Sequence, residues 1–154
     1  MMRRSNLVFG AVLIFFVFLL ALVGLFWTPH EPAAVTGGIR EVPSIAHWLG
    51  TDNSGFDIAS RLMTGAKLVL LVGLGSVAGA ALIGIPSGVI AGMSRGWGAV
   101  LIARGADVLY GFPALLLAIL FAAALGGSVW TALMAISLSA IPAFVRIARA
   151  ATIQ

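Results

Sequence analysis

The chain of 154 residues is 61% hydrophobic and only 9% charged, and its formal net charge is +4 at pH 7. Because a soluble domain usually has about 25% charged residues, this chain cannot hide its apolar surface in a water-soluble core, and lipid must solvate much of it. The lack of cysteine excludes disulfides, thiol catalysis and cysteine-ligated metals, and the scattered basic residues form no patch for nucleic acid, so we predict no nucleic-acid partner.

The first predicted region, residues 1–27, consists of a short basic tip and the uncharged segment "LVFGAVLIFFVFLLALVGLFW". A helix of about 20 apolar residues spans the hydrocarbon core of a bilayer. A signal peptide is the alternative, because Arg3 and Arg4 precede the segment, but its apolar part would be only about 7–15 residues long. We therefore predict an uncleaved transmembrane helix, with Trp27 at the far interface.

The second predicted region, residues 28–67, is a polar connection that contains several prolines and glycines, which interrupt regular structure. The third region, residues 68–154, holds three more apolar segments, at about 68–92, 105–125 and 129–148. Segments of this length and composition favour membrane-spanning helices. The predicted fold is an all-α integral membrane protein, a polytopic helix bundle with four transmembrane helices in this chain.

Basic residues predict the orientation of these helices, because short cytoplasmic loops carry an excess of lysine and arginine. With four crossings, six arginines fall on one side: Arg3, Arg4, Arg95, Arg104, Arg146 and Arg149, whereas the charges of the long connection nearly cancel. Both ends of the chain are then predicted to be cytoplasmic. The long connection is predicted to be external.

Small residues are frequent in the second span and recur at a spacing of four, as in Gly75/Gly79 and Gly84/Gly88. Such spacing lets helix backbones approach closely in lipid. We expect this span to pack against another helix, whose identity the sequence does not give. Each of the last three spans also contains one proline, where a helix can kink: Pro86, Pro113 and Pro142.

Asp107 is the only acidic residue near a membrane segment of the third region. Acidic groups inside a membrane are costly and often functional. Arg104 precedes it by one helical turn, so a local ion pair at the entrance of the helix is the simpler interpretation. The sequence contains no series of acidic residues that could relay protons.

The stretch "HWLGTDNSGFDIASRLMTGAK" at residues 47–67 is the most polar part of the chain. Its acidic residues do not match a calcium-binding loop, which needs glycine at position six and glutamate at position twelve. Ser54 and Asp57 match the S-x-x-D capping box and predict a short helix at the external interface, anchored by Trp48 and Phe56. His30 and His47 show no metal-ligand spacing, so we predict no metal site and no bound cofactor.

This stretch also resembles the signature H-x-L-G-T-D-x-x-G-R-D-x-x-S-R-L-x-x-G-A-R, found before the second span of C-type permease subunits in bacterial dipeptide, oligopeptide and nickel ABC importers. "RGADVLYGFPALLLAI" and "IPAFVRIARAATIQ" resemble later parts of the same subunits. Phe56 and Lys67 replace two arginines of the signature. The matching positions are His47, Leu49, Gly50, Thr51, Asp52, Gly55, Asp57, Ser60, Arg61, Leu62, Gly65 and Ala66.

The resemblance implies the fold of a type I ABC importer permease, with six spans in the family, and a place in the bacterial cytoplasmic membrane. It also implies a homologous second permease subunit, two ATP-binding subunits that hydrolyse ATP, and an extracytoplasmic solute-binding protein. Arg146 and Arg149 correspond to the approach to the cytoplasmic E-A-A-x-x-x-G coupling loop. That motif does not occur in this sequence, so we expect a fragment of an importer subunit; a nonfunctional remnant or a four-span scaffold without transport activity is the alternative.

Overall fold

A computed structural model of the chain describes residues 2–94 and 96–153, with side chains from Ser5 onward. Within these residues the chain forms five α-helices: α1 Met2–Phe26, α2 Ile58–Met93, α3 Trp97–Tyr110, α4 Ala114–Leu125 and α5 Val129–Thr152. The predicted all-α membrane fold is confirmed. The side chains of Arg3, Arg4 and Arg95, which entered the predicted orientation, lie outside the described part of the chain.

Three of the described helices, α1, α2 and α5, have the length and apolar composition needed to cross a membrane. Helices α3 and α4 meet this requirement only together, and their axes are bent by 84° at the break between them. Pro113 lies directly before α4 at this break, where its ring removes a backbone donor. The described chain thus contains three candidate spans, or four if the bent pair forms one span.

Helix α2 differs from the prediction because no separate interfacial helix precedes the span. One continuous helix of 36 residues begins at Ile58 and runs to Met93. Its first part, "IASRLMTGAK", contains no proline, so nothing interrupts the ladder of backbone hydrogen bonds between the polar start and the apolar span. Pro86 and Pro142 lie inside the uninterrupted helices α2 and α5.

The chain divides into two compact units between Leu71 and Val72. The first unit holds α1, the connection and the start of α2, and α1 touches α2 where Gly24 meets the backbone of Met63. Most of the large apolar side chains of α1 are exposed, such as Phe9 at 67% and Phe26 at 86%. Exposed apolar area of this extent fits a helix that lipid solvates.

In the second unit α2 packs against α5 through its glycines. A Cβ atom at Gly75 would lie 2.7 Å from Leu133 Cδ1, and one at Gly92 would lie 2.7 Å from Thr152 Cβ. The residue numbers of the contacting pairs increase together along both helices, so α2 and α5 run parallel. Helices α3 and α4 therefore return the chain to the end at which α2 enters the unit. Ala80, Ala106, Ile141 and Val145 form the core between the helices.

The predicted close packing of the small-residue face is therefore confirmed, and its partner is α5. The contact is tightest at Gly88, where a Cβ atom would lie 2.5 Å from the Val145 carbonyl oxygen. Backbone atoms cannot move aside as the end of a flexible side chain can. Glycine at this position sets how closely the two helices approach each other.

We predict that Gly88→Ala destabilises the second unit by about 1–3 kcal/mol, because the added methyl group overpacks the contact between α2 and α5. Gly73→Ala is the matched control on the same helix, since a Cβ atom at Gly73 meets nothing within 4 Å. Thermal unfolding of the purified variants in detergent measures the difference. Equal midpoints for Gly88→Ala and the native chain would contradict the packing.

Candidate functional site

Asp57 is the centre of the polar structure in the first unit. Its side chain is fully buried, and its Oδ2 atom accepts hydrogen bonds from the backbone N–H of Ser60 at 2.8 Å and from the Ser60 hydroxyl at 2.7 Å. Asp57 therefore caps α2 from the position directly before the helix. The predicted capping box of Ser54 and Asp57 is wrong, because Gly55 forms a turn at φ +81° and the helix begins only after Asp57.

The structure brings together two histidines that are far apart in the sequence. The rings of His30 and His47 lie 4.6 Å apart between centroids. His47 Nδ1 is 3.0 Å from Asp57 Oδ1, and His30 Nδ1 is 3.7 Å from the same oxygen. The backbone N–H of His30 donates to the Ser60 hydroxyl oxygen at 2.9 Å, which fixes His30 beside the helix start. We call His30, His47 and Asp57 the histidine–aspartate cluster.

The loop around the cluster is held by hydrogen bonds that cross it. The N–H of Glu41 donates to the Thr51 hydroxyl oxygen at 2.8 Å, and the N–H of Gly38 donates to Glu41 Oε1 at 2.7 Å. Glu41 Oε2 lies 3.9 Å from His47 Nε2. A Cβ atom at Gly37 would lie 2.8 Å from His47 Nε2, so only glycine leaves room for the imidazole here.

Asp52 organises the outer side of the same loop. Its Oδ1 atom accepts from the N–H groups of Ser54 at 2.8 Å and Phe56 at 3.1 Å, and its Oδ2 atom pairs with Arg61. The Arg61 guanidinium lies 4.8 Å from the centroid of the Phe56 ring. Phe56, which replaces an arginine of the resembled signature, thus provides a cation–π contact to Arg61.

Both carboxylates of this region have lowered pKa values. The backbone hydrogen bond from Ser54 is the main cause that lowers the pKa of Asp52 from 3.8. Burial raises the pKa of Asp57, but hydrogen bonds from Ser60 and His47 outweigh it and lower the pKa below 3.8. Because the folded-state pKa is depressed, each carboxylate contributes stability above pH 3.8, and this contribution is lost as the pH falls through the folded-state pKa.

The second unit gives Asp107 a partner that the sequence did not suggest. Its Oδ1 atom lies 3.1 Å from Nη2 of Arg146 on α5. Asp107 thus pairs with Arg146 and not with Arg104, which lies one turn earlier on its own helix. The Arg146 guanidinium also lies 4.2 Å from the Tyr110 ring centroid. The predicted pair with Arg104 is replaced because α3 packs on α5, which places Arg146 beside the Asp107 side of α3. Arg146 therefore joins the two helices.

The basic end of α5 holds a second arginine in a different environment. Arg149 lies in the last turn of the helix, and its Nε atom is buried with no hydrogen-bond partner among the described residues. Its backbone carbonyl oxygen would lie 3.1 Å from a Cβ atom at Gly92 of α2. Arg146 and Arg149 thus differ, because the first binds α3 and the second belongs to the contact with α2.

Comparison with known proteins finds no matching family model but several curated relatives. The chain is 38% identical to a probable D,D-dipeptide transport system permease protein of Escherichia coli, over 97% of this chain. It is also 38% identical to a dipeptide transport system permease protein of Alkalihalophilus pseudofirmus, over 99% of this chain. A glutathione transport system permease protein of Pectobacterium atrosepticum is 41% identical over 75% of this chain.

The fold and these similarities define a polytopic, helical membrane protein of the permease class. The chain belongs to the family of permease subunits of peptide-type ABC importers, as its signature suggested. Permease subunits of this family are transport components without catalytic activity. The chain spans about half the length of the curated relatives it matches, namely 51% of each of the two dipeptide permeases.

We predict that Asp57→Ala lowers the local stability of the start of α2 by about 2–4 kcal/mol. The loss combines about 1 kcal/mol for the helix cap with about 1–3 kcal/mol for buried His47, which is left without its partner. Hydrogen exchange of the amides of residues 58–66 measures this effect. Ser54→Ala is the control, because it keeps the backbone N–H that binds Asp52. Faster exchange in Ser54→Ala than in Asp57→Ala would restore the capping box predicted from the sequence.

Proposed function

We propose that this chain forms part of a permease subunit of an ATP-driven importer that carries peptides or related small solutes across the bacterial cytoplasmic membrane. The observation that carries the proposal is the similarity over 97–99% of the chain to permeases whose names specify dipeptide transport. The relative named for glutathione supports a solute class that contains peptide bonds. The chain itself carries out no chemistry in this proposal.

The proposed partners follow from this family. A solute-binding protein delivers the solute at the outer face, a homologous permease subunit forms the other half of the pathway, and two ATP-binding subunits hydrolyse ATP. Binding of ATP then shifts the balance between two packings of the helices, which opens the pathway to alternate sides. In this proposal α5 and the part of α2 in the second unit move together, because their backbones are in close contact. The 84° break at Pro113 provides a point at which the returning segment can change direction.

In the proposed orientation the connection between α1 and α2 is external, and the turn between α2 and α3 is cytoplasmic. The parallel course of α2 and α5 supports the number of crossings, because the bent pair α3–α4 must then return the chain across the membrane between them. The basic residues Arg146 and Arg149 near the end of α5 then lie on the cytoplasmic side, as the positive-inside rule requires.

We predict that single cysteines will report this orientation, since the native chain contains no cysteine. Ile45 is 97% exposed in the connection, and Ser94 directly follows α2, which ends at Met93. In intact spheroplasts a membrane-impermeant maleimide should label Ile45→Cys. The reagent should label Ser94→Cys only after the membrane is permeabilised. The reverse pattern would contradict the proposed topology. The native chain, which has no cysteine for the reagent to label, is the control.

We predict that deletion of the gene in its native host abolishes uptake of at least one of two radiolabelled probes, a dipeptide or glutathione. Complementation with the native gene or with Gly73→Ala should restore uptake. Gly88→Ala should restore it only partly, because it disturbs the contact between α2 and α5. Unchanged uptake of both probes after deletion would contradict the proposed function. It would favour the alternative of a scaffold that moves no solute.

A further inference from the structure

We propose that the histidine–aspartate cluster binds one divalent transition-metal ion, with His30 Nδ1, His47 Nδ1 and Asp57 Oδ1 as its ligands. One ligand atom from each of these residues lies within 4.8 Å of the other two. Two imidazole nitrogens and one carboxylate oxygen are a donor set that suits zinc, nickel, cobalt or iron. The inference concerns the connection alone and does not rest on the proposed function.

The two distances from Asp57 Oδ1 to the histidine nitrogens are close to those between ligands that share an ion. Two ligands that bind tetrahedral Zn²⁺ at about 2.0–2.1 Å lie roughly 3.3 Å from each other. The distances from Asp57 Oδ1 are 3.0 Å to His47 Nδ1 and 3.7 Å to His30 Nδ1, one on each side of that value. The ligand atoms of all three residues lie within 4.8 Å of one another, so the histidine side chains would move closer together when they bind one ion.

The hydrogen bonds of the cluster do not account for one ring nitrogen of His30. Its Nδ1 atom is buried and has no hydrogen-bond partner among the described residues. A buried imidazole nitrogen without a partner is costly, and a metal ion at this point would satisfy it. The His30 side chain as a whole is 30% exposed, so an ion has a path from the solvent to the cluster.

The surroundings of the three ligands hold them in the positions that a metal site needs. Asp57 uses its Oδ2 atom for Ser60, so an ion at Oδ1 would replace the contact with His47 Nδ1 and leave the helix cap intact. With the ion bound to Nδ1 of His47, the proton of that ring lies on Nε2, which faces Glu41 Oε2 at 3.9 Å. A carboxylate beside the second nitrogen of a ligating histidine orients the ring and raises its basicity.

The charge of the site also favours a cation. Two neutral histidines and one aspartate give a net charge of −1, and Glu41 adds a second negative charge nearby. No arginine or lysine forms an ion pair with Asp57 among the described residues. A divalent ion would therefore neutralise the buried carboxylate and its neighbour, in an environment where electrostatic interactions are less screened than in water.

The test is a zinc titration of the full chain, purified in detergent with a histidine-free tag and stripped with a chelator. Competition with a chromophoric zinc chelator should show one Zn²⁺ per native chain. Co²⁺ should give the visible absorption of a four-coordinate ion with nitrogen and oxygen ligands. His30→Gln and His47→Gln should lose stoichiometric binding, and Glu41→Gln should weaken it by about 10–100-fold through the second ligand shell.

Glu31→Gln is the matched control, because it removes a charge next to His30 but no ligand atom, and it should bind Zn²⁺ as the native chain does. Circular dichroism checks that each variant is folded. His30→Gln keeps the backbone N–H that donates to Ser60. Zn²⁺ should raise the unfolding temperature of the native chain and not that of folded His30→Gln. Absence of binding by the native chain, or native affinity in His30→Gln, would overturn the proposal.

Discussion

Close contact between the backbones of α2 and α5 is the constraint on which the second unit depends. In lipid there is no hydrophobic force between helices, so association relies on packing at short range. Gly84 and Gly88 let the backbone of α5 approach, and Ile141 and Val145 fill the core beside them. Because α2 and α5 run parallel, α3 and α4 must bring the chain back to the end at which α2 enters the unit before α5 begins.

The first unit depends on a polar centre and not on small residues. Asp57 is fully buried, and its two oxygens face different partners: Oδ2 accepts from Ser60, and Oδ1 faces both histidines. A buried carboxylate is stable only when hydrogen bonds or opposite charges compensate its desolvation. The connection folds around this requirement, since His30 and His47 reach Asp57 from two different parts of the loop.

Composition and the length of apolar segments predicted the all-α membrane fold, because a bilayer allows few other structures. The spacing of the glycines predicted close packing, but not the partner, since only the fold places α5 beside α2. The Asp107 partner was missed for the same reason, because Arg146 lies on another helix. The histidine–aspartate cluster was missed because His30 carries no local signal; His47 and Asp57 did stand out within the resembled signature.

The residues of that signature stabilise the local structure of the connection. The resemblance therefore carries little information about which solute is transported. Gly50 and Gly55 adopt φ values of +76° and +81°, which favour glycine, and Asp52 binds two backbone N–H groups of the turn. Asp57 and Ser60 begin α2. The signature therefore encodes how the connection enters the second span. Permeases named for dipeptide and for glutathione both resemble this chain, as expected if discrimination between solutes lies outside the signature.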